Sequence, residues 1–132
     1  MKKIKILCVD DDLVSRNKMQ AILEVKGDCV QAATGQEAMA HIEKSLREKE
    51  RFDLITLDIG LPDHDGIEVL QRIRKMEKGS GLKDQERAKI IMVTSHADKE
   101  RVLSCLKAGC NEYIVKPFDI TTLVGKMEKI GF

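Results

Sequence analysis

The sequence predicts a doubly wound α/β domain, a five-stranded parallel sheet with helices on both faces, and three observations predict it. Five short apolar runs alternate with longer segments in which apolar residues recur every three or four positions. Three runs, Ile6 to Val9, Leu54 to Leu57 and Ile90 to Val93, are apolar throughout, as strands buried on both faces must be. Alternating strand and helix implies parallel pairing, because each crossover needs a helix to return the chain.

The strands are expected at Ile4 to Val9, Asp28 to Ala32, Asp53 to Leu57, Lys89 to Val93 and Glu112 to Val115. Gly35 to Glu50 carries Ala38, Met39, Ile42 and Leu46 at helical spacing. Asp119 to Ile130 does the same with Ile120, Leu123, Val124, Met127 and Ile130. Thr34 with Glu37, and Asp65 with Glu68, have capping-box spacing, and Asp12 and Asp119 are expected helix caps. Gly27, Gly79 and Gly109 fall where helices should end. The polar stretch Glu77 to Lys89 reads as a mobile surface loop, and no repeat or internal boundary divides residues 1–132.

Composition narrows the function. With 23 basic and 22 acidic residues the net charge is +1, so no basic surface for nucleic acid is expected. No Trp and a single Tyr leave little for base stacking. The opening lysines and apolar run are cut short by three aspartates before any cleavage site, and no run approaches the roughly 18 apolar residues of a membrane span. A cytoplasmic protein is expected. Cys8, Cys29, Cys105 and Cys110 form no CxxC pair and read as small buried thiols rather than zinc ligands.

The residues at the carboxyl ends of the apolar runs carry the chemistry. The first run leads into Asp10 and Asp11, the third into Asp58, the fourth into Thr94 and the fifth into Lys116. In a parallel sheet all of these lie at the carboxyl edge, where open α/β sheets bind ligands. Three carboxylates ~4 Å apart repel by about 4 kcal/mol per pair at an effective dielectric of ~20, so positive charge must compensate. Lys116 offers one charge, and a hard divalent cation such as Mg²⁺ (or Mn²⁺) offers two and suits oxygen ligands. A carboxylate can act as nucleophile toward phosphorus while lysine and threonine hold the phosphoryl oxygens.

Together, VDDD at 9–12, LDIGLPDHDG at 57–66, VTS at 93–95 and VKPF at 115–118 resemble the signatures of response-regulator receiver domains, in order and over nearly the whole chain, from Lys3 to about Ile130. The resemblance implies a flavodoxin-like strand order 2-1-3-4-5. It implies phosphorylation of Asp58 by a histidine kinase or phosphotransfer protein. Asp10 and Asp11 would hold Mg²⁺ together with Asp58 and the backbone carbonyl of Gly60, Thr94 and Lys116 would contact the phosphoryl group, and Pro117 would follow a cis peptide. Tyr113 matches the aromatic switch position, and the face of the fourth helix, fifth strand and fifth helix would meet a downstream protein, a fused output domain or a second copy. Such a domain is a phosphoacceptor rather than an enzyme, with slow self-phosphorylation and autodephosphorylation expected.

Gly60 and His96 depart from the commoner residues at the two positions that set phosphoryl lifetime in this family, and the second helix and the segment before the fourth strand look extended. Two other readings compete. Asp10 to Val14 fits the DxDx(V/T) motif of haloacid-dehalogenase-like phosphatases, although the C-terminal third lacks their acidic pair. A receiver-fold interaction module without phosphorylation would normally have lost an acidic, Thr or Lys position. Asp63, Asp65 and Gly66 superficially resemble a calcium loop and read as a turn and helix cap. His41 and His64 read as solvated.

Overall fold

The apolar runs become the strands β1 (Ile4–Val9), β2 (Gly27–Ala32), β3 (Leu54–Asp58), β4 (Lys89–Thr94) and β5 (Glu112–Val115) of a computed structural model that describes residues 3–95 and 98–132. The helices between them are α1 (Leu13–Leu23), α2 (Gly35–Arg47), α3 (Gly66–Gly79), α4 (Lys99–Ala108) and α5 (Ile120–Lys129), with a short 3₁₀ turn at Asp84–Glu86. His96 lies outside the described residues. All strand pairs are parallel and the order is β2-β1-β3-β4-β5, as expected. No helix among the described residues is long and apolar enough to cross a membrane.

Two cores follow from the pleat, since successive side chains point to opposite faces. Leu7, Val9, Ile55, Leu57, Ile90 and Met92 face Ala38, Ile42, Val69, Leu70, Ile73 and Cys105 of α2, α3 and α4. Ile6, Cys8, Leu54, Ile91, Val93 and Ile114 face Met19, Leu23, Leu123 and Met127 of α1 and α5. Both faces are therefore covered, which explains why these strands show no polar alternation. Cys8, Cys105 and Cys110 are buried and Cys29 half-buried, all as free thiols. Burial pushes the Cys8 thiol up to about 12, so it behaves as a small apolar side chain.

Several local expectations are corrected. Gly27 ends no helix: α1 stops at Leu23, and Gly27 opens β2, where a Cβ would collide with the carbonyl of Ile4 (2.7 Å from its carbon). β3 sits one residue later than the apolar pattern implied and takes in Asp58. Ile120 is exposed rather than core-facing. Asp65 caps α3 through Ile67 N–H, but Glu68 does not close the box; it pairs with Arg72 at 3.0 Å. Thr34 caps α2 through Glu37 N–H at 3.1 Å, but Glu37 reaches past Thr34 N–H to Ala33 N–H at 2.9 Å, so only half of the expected box forms. Gly109 closes α4 in the left-handed region at φ 104°, as expected of a terminal glycine.

The stretch expected to be a mobile surface loop is a largely exposed connection over residues 80–88, but its two ends are anchored. α3 continues to Gly79, and Glu77 is 3% exposed, accepting from Arg74 and from Ala88 N–H at 2.8 Å each. Composition misled here because Glu77 has a buried partner on its own helix.

Candidate functional site

Parallel pairing sends β1, β3, β4 and β5 to one edge of the sheet, and the order reverses between β1 and β3. Asp10 is held there by its own amide, which donates to Ala32 and prolongs the β1–β2 ladder. Its carboxylate accepts from Asp12 N–H at 2.9 Å, and Arg16 Nη1 grips its carbonyl at 2.8 Å. Asp12 caps α1 through Val14 N–H and Ser15 Oγ, which turns the chain so that Asp11 stays exposed. Asp58 ends β3, 7% exposed, with Oδ1 accepting from Gly60 N–H at 3.0 Å.

Lys116 leaves β5 with its amide donating to the Thr94 carbonyl, and the Lys116–Pro117 peptide is cis. Its Nζ lies 2.7 Å from Asp10 Oδ2 and 3.0 Å from Asp58 Oδ2, bridging the two strands that flank the reversal. Thr94 ends β4 and is 4% exposed. Oxygen atoms of Asp10, Asp11 and Asp58 all lie within 4.8 Å of one another, the one group of three potential metal ligands among the described residues. The structure thus brings together Asp10, Asp11, Asp58, Thr94 and Lys116.

Burial pushes the Asp58 carboxyl above the usual carboxylate range, because the Gly60 N–H and the Lys116 ammonium do not fully offset desolvation and the charge of Asp10 adds to it. Burial alone would lower Lys116, but the hydrogen bonds and charges of Asp10 and Asp58 hold it above its ordinary value. Two carboxylates share one ammonium, so the lysine is over-supplied with negative charge and Asp58 under-supplied with positive. Three carboxylates against one cation form an oxygen-rich cluster that fits a hard divalent ion.

The other assigned residues sit around this centre. Gly60 is exposed, and a Cβ there would meet only Asp58 Oδ1 at 3.9 Å, so the site is open on that side. Tyr113 on β5 is half-buried against the core of α2, α3 and α4. Lys126 lies 4.6 Å over its ring and pairs with Glu112 at 3.3 Å. His64 stands between Asp63 and Glu68 at 3.9 and 3.8 Å, 28% exposed.

Sequence reading missed three supports. Arg16 reaches back from the first turn of α1 to the Asp10 carbonyl and across to Gln31, contacts that no local spacing marks. Asp63 caps α2, accepting from Gly35 and Gln36 N–H at 2.8 and 3.0 Å, and these bonds, Gly35 first, hold its carboxyl below the usual range. Lys18 joins α1 to the turn after β5 through the Phe118 carbonyl at 2.8 Å; nothing local signals a contact 100 residues away. Beside it a cleft of about 350 Å³ opens next to Asp10 and Lys116, with Ser15, Ser95 and Pro117 on its walls.

Gly66 couples α3 to the acceptor strand. Its amide donates to Ile59 at 2.8 Å, and a Cβ would lie 2.5 Å from Ile59 Cα and closer still to the Asp58 carbonyl oxygen. Gly66→Ala is expected to cost about 1–3 kcal/mol in urea unfolding, since backbone cannot yield as a side-chain end can. It should also move Asp58, so that added Mg²⁺ protects the variant from melting less than it protects the parent; equal stability and equal protection would refute the close-packing account.

Comparison with known proteins gives the same answer as the geometry. Residues 6–128 match the response regulator receiver domain family. The chain is 33% identical over 131 residues to the chemotaxis protein CheY-3 of Vibrio cholerae, covering 98% of this chain and 92% of that one. It is 37% identical over 128 residues to the hybrid signal transduction histidine kinase M of Dictyostelium discoideum, covering 96% of this chain but only 5% of that protein. Among solved structures it is similar to the CheX–CheY–BeF3–Mg²⁺ complex from Borrelia burgdorferi, with a TM-score of 0.82, 27% identity, and coverage of 98% of this chain and 90% of that one. The chain belongs to the response regulator receiver domain family of two-component signalling.

Proposed function

We propose that residues 1–132 act as a single receiver domain that takes a phosphoryl group on Asp58 and converts it into a change at a protein-binding face. The observation that carries this reading is the Lys116 ammonium bridging Asp10 and Asp58 at 2.7 and 3.0 Å, with Asp11 close by. In the proposed step an Asp58 oxygen attacks the phosphorus of a phosphohistidine on a histidine kinase or phosphotransfer protein. The new P–O bond forms as the P–N bond breaks, and the histidine nitrogen leaves with that electron pair. Lys116 neutralises the phosphoryl oxygens and the Thr94 hydroxyl donates to one of them.

Asp10, Asp11, Asp58 and the Gly60 carbonyl would hold Mg²⁺ (or Mn²⁺). The ion would supply charge neutralisation for the phosphoryl oxygens. A structural neighbour was solved with Mg²⁺ and BeF3, which supports this choice of cation. The protein would act in the cytoplasm. Output would run from Thr94 to Tyr113 and the α4–β5–α5 face, toward a downstream protein, a fused output domain or a second copy, by shifting an existing two-state equilibrium.

Tyr113 reports this directly, because the chain has one Tyr and no Trp. Beryllofluoride with Mg²⁺ is expected to change its fluorescence and to shift backbone NMR signals across residues 99–130. Thr94→Ala should keep beryllofluoride binding but lose the fluorescence change. Binding with no change in either signal would sink the switch, and no binding at all would sink the phosphoacceptor site.

A further inference from the structure

The amino end of the sheet, opposite Asp58, carries a second pocket that phosphoryl acceptance does not use. It has a volume of about 370 Å³, within the range of small-molecule sites, and Arg74, Arg87, Lys89, Asp84, Gly109 and Asn111 line it. Three cations face one acid there. Asp84 is 94% exposed and only 3.4 Å from Arg87 Nη1, a surface pair that water and salt weaken. Arg74 is occupied: it donates to Glu77, Ala88, Gly109 and Asn111. Arg87 is not. Its Nε–H is buried without a hydrogen-bond partner, the one such side-chain atom among the described residues. A buried donor left unmade costs about 1–3 kcal/mol, so the Arg87 side chain gains by turning outward to an acceptor in the pocket.

From this geometry we infer that the pocket binds a small phosphorylated molecule, its phosphate taken by Arg87 and Lys89. The guanidinium fork matches phosphate oxygens in two places, and the lysine adds a point charge. No aromatic side chain lines the pocket, so a nucleotide base would find nothing to stack on. Asn111 and Asp84 instead offer partners for hydroxyl groups, which favours a sugar phosphate. The bound molecule would touch Gly109 and Asn111, the corner that joins α4 to β5.

The test is titration of the ¹⁵N-labelled chain with glucose 6-phosphate, with glucose, AMP, a phosphoserine peptide and sodium chloride at matched ionic strength as separate arms. Saturable shifts at Ala88, Gly109 and Asn111 are expected with the sugar phosphate, weaker ones with AMP and the peptide, and none with glucose. Arg87→Gln and Lys89→Gln should each weaken binding about tenfold, while Asp58→Asn should leave it unchanged. A response lost in Asp58→Asn would place the phosphate in the acceptor site instead. An equal response to chloride, or equal affinity in Arg87→Gln, would overturn the inference. Tighter binding of the phosphoserine peptide would replace the small molecule with a protein segment.

Discussion

Asp58→Asn is expected to abolish phosphoryl uptake from a small acyl phosphate while leaving the chain folded and somewhat more stable. Asparagine keeps the shape but only one acceptor oxygen, so of the bonds from Gly60 N–H to Oδ1 and from Lys116 Nζ to Oδ2, both 3.0 Å, only one can persist. What disappears is the anionic nucleophile, and with it one of three carboxylates set against a single ammonium. The local charge goes from −3 + 1 = −2 to −2 + 1 = −1. Burial already disfavours the ionised form of Asp58, with Asp10 adding to the penalty. Relief of that repulsion, less the lost hydrogen bond and the weakened attraction to Lys116, should be worth about 1 kcal/mol, or several degrees in melting temperature. Added Mg²⁺ should protect the variant from melting much less than the parent. Intact mass after acyl phosphate treatment decides the chemistry. A phosphorylated Asp58→Asn together with an inert Asp10→Asn would move the nucleophile to Asp10, as the phosphatase motif would have it.

The sheet and the acidic centre were legible because both depend on short patterns. Ile6 to Val9, Leu54 to Leu57 and Ile90 to Val93 announce strands covered on both sides, and the two cores confirm why. Asp10, Asp58, Thr94 and Lys116 could be placed together without coordinates, since each ends a parallel strand and parallel strands share an edge. Contacts that depend on which side chain reaches across the fold were not legible. Asp63 looks like a local turn residue, yet it caps a helix that begins 28 positions earlier. Gly27 looks like a helix terminator, and only the approach of Ile4's carbonyl shows why it must be glycine. Nor could the sequence show that Lys126 sits over Tyr113, because that depends on how α5 packs beside β5.

Glu77 shows the same limit with the larger energetic consequence. In the sequence it opens a polar, glycine-bearing stretch; in the fold its side chain is 4% exposed and that of Arg74 15%. One carboxylate oxygen accepts from Arg74 and the other from Ala88 N–H, at 2.8 Å each. Arg74, held by that charge, donates to the Gly109 carbonyl at 2.9 Å and to Asn111 Oδ1 at 2.9 Å, and Asn111 in turn accepts from Ile90 N–H at 2.8 Å. The pair therefore joins the end of α3 to the start of β4 and to the corner leading into β5. Glu77→Ala would leave the Arg74 guanidinium buried without its counter-charge and the Ala88 N–H without an acceptor. The expected loss is about 3–5 kcal/mol, a large part of the roughly 5–15 kcal/mol that holds such a domain together. Glu77→Gln keeps the shape and one acceptor, and should cost about 1–2 kcal/mol. In a double-mutant cycle with Arg74→Ala the two losses should fail to add by about 1–3 kcal/mol, because the second truncation removes a charge the first has already stranded. Urea unfolding of the four proteins measures this. A Glu77→Ala loss below about 1 kcal/mol, or strict additivity, would mean that the buried pair contributes packing alone.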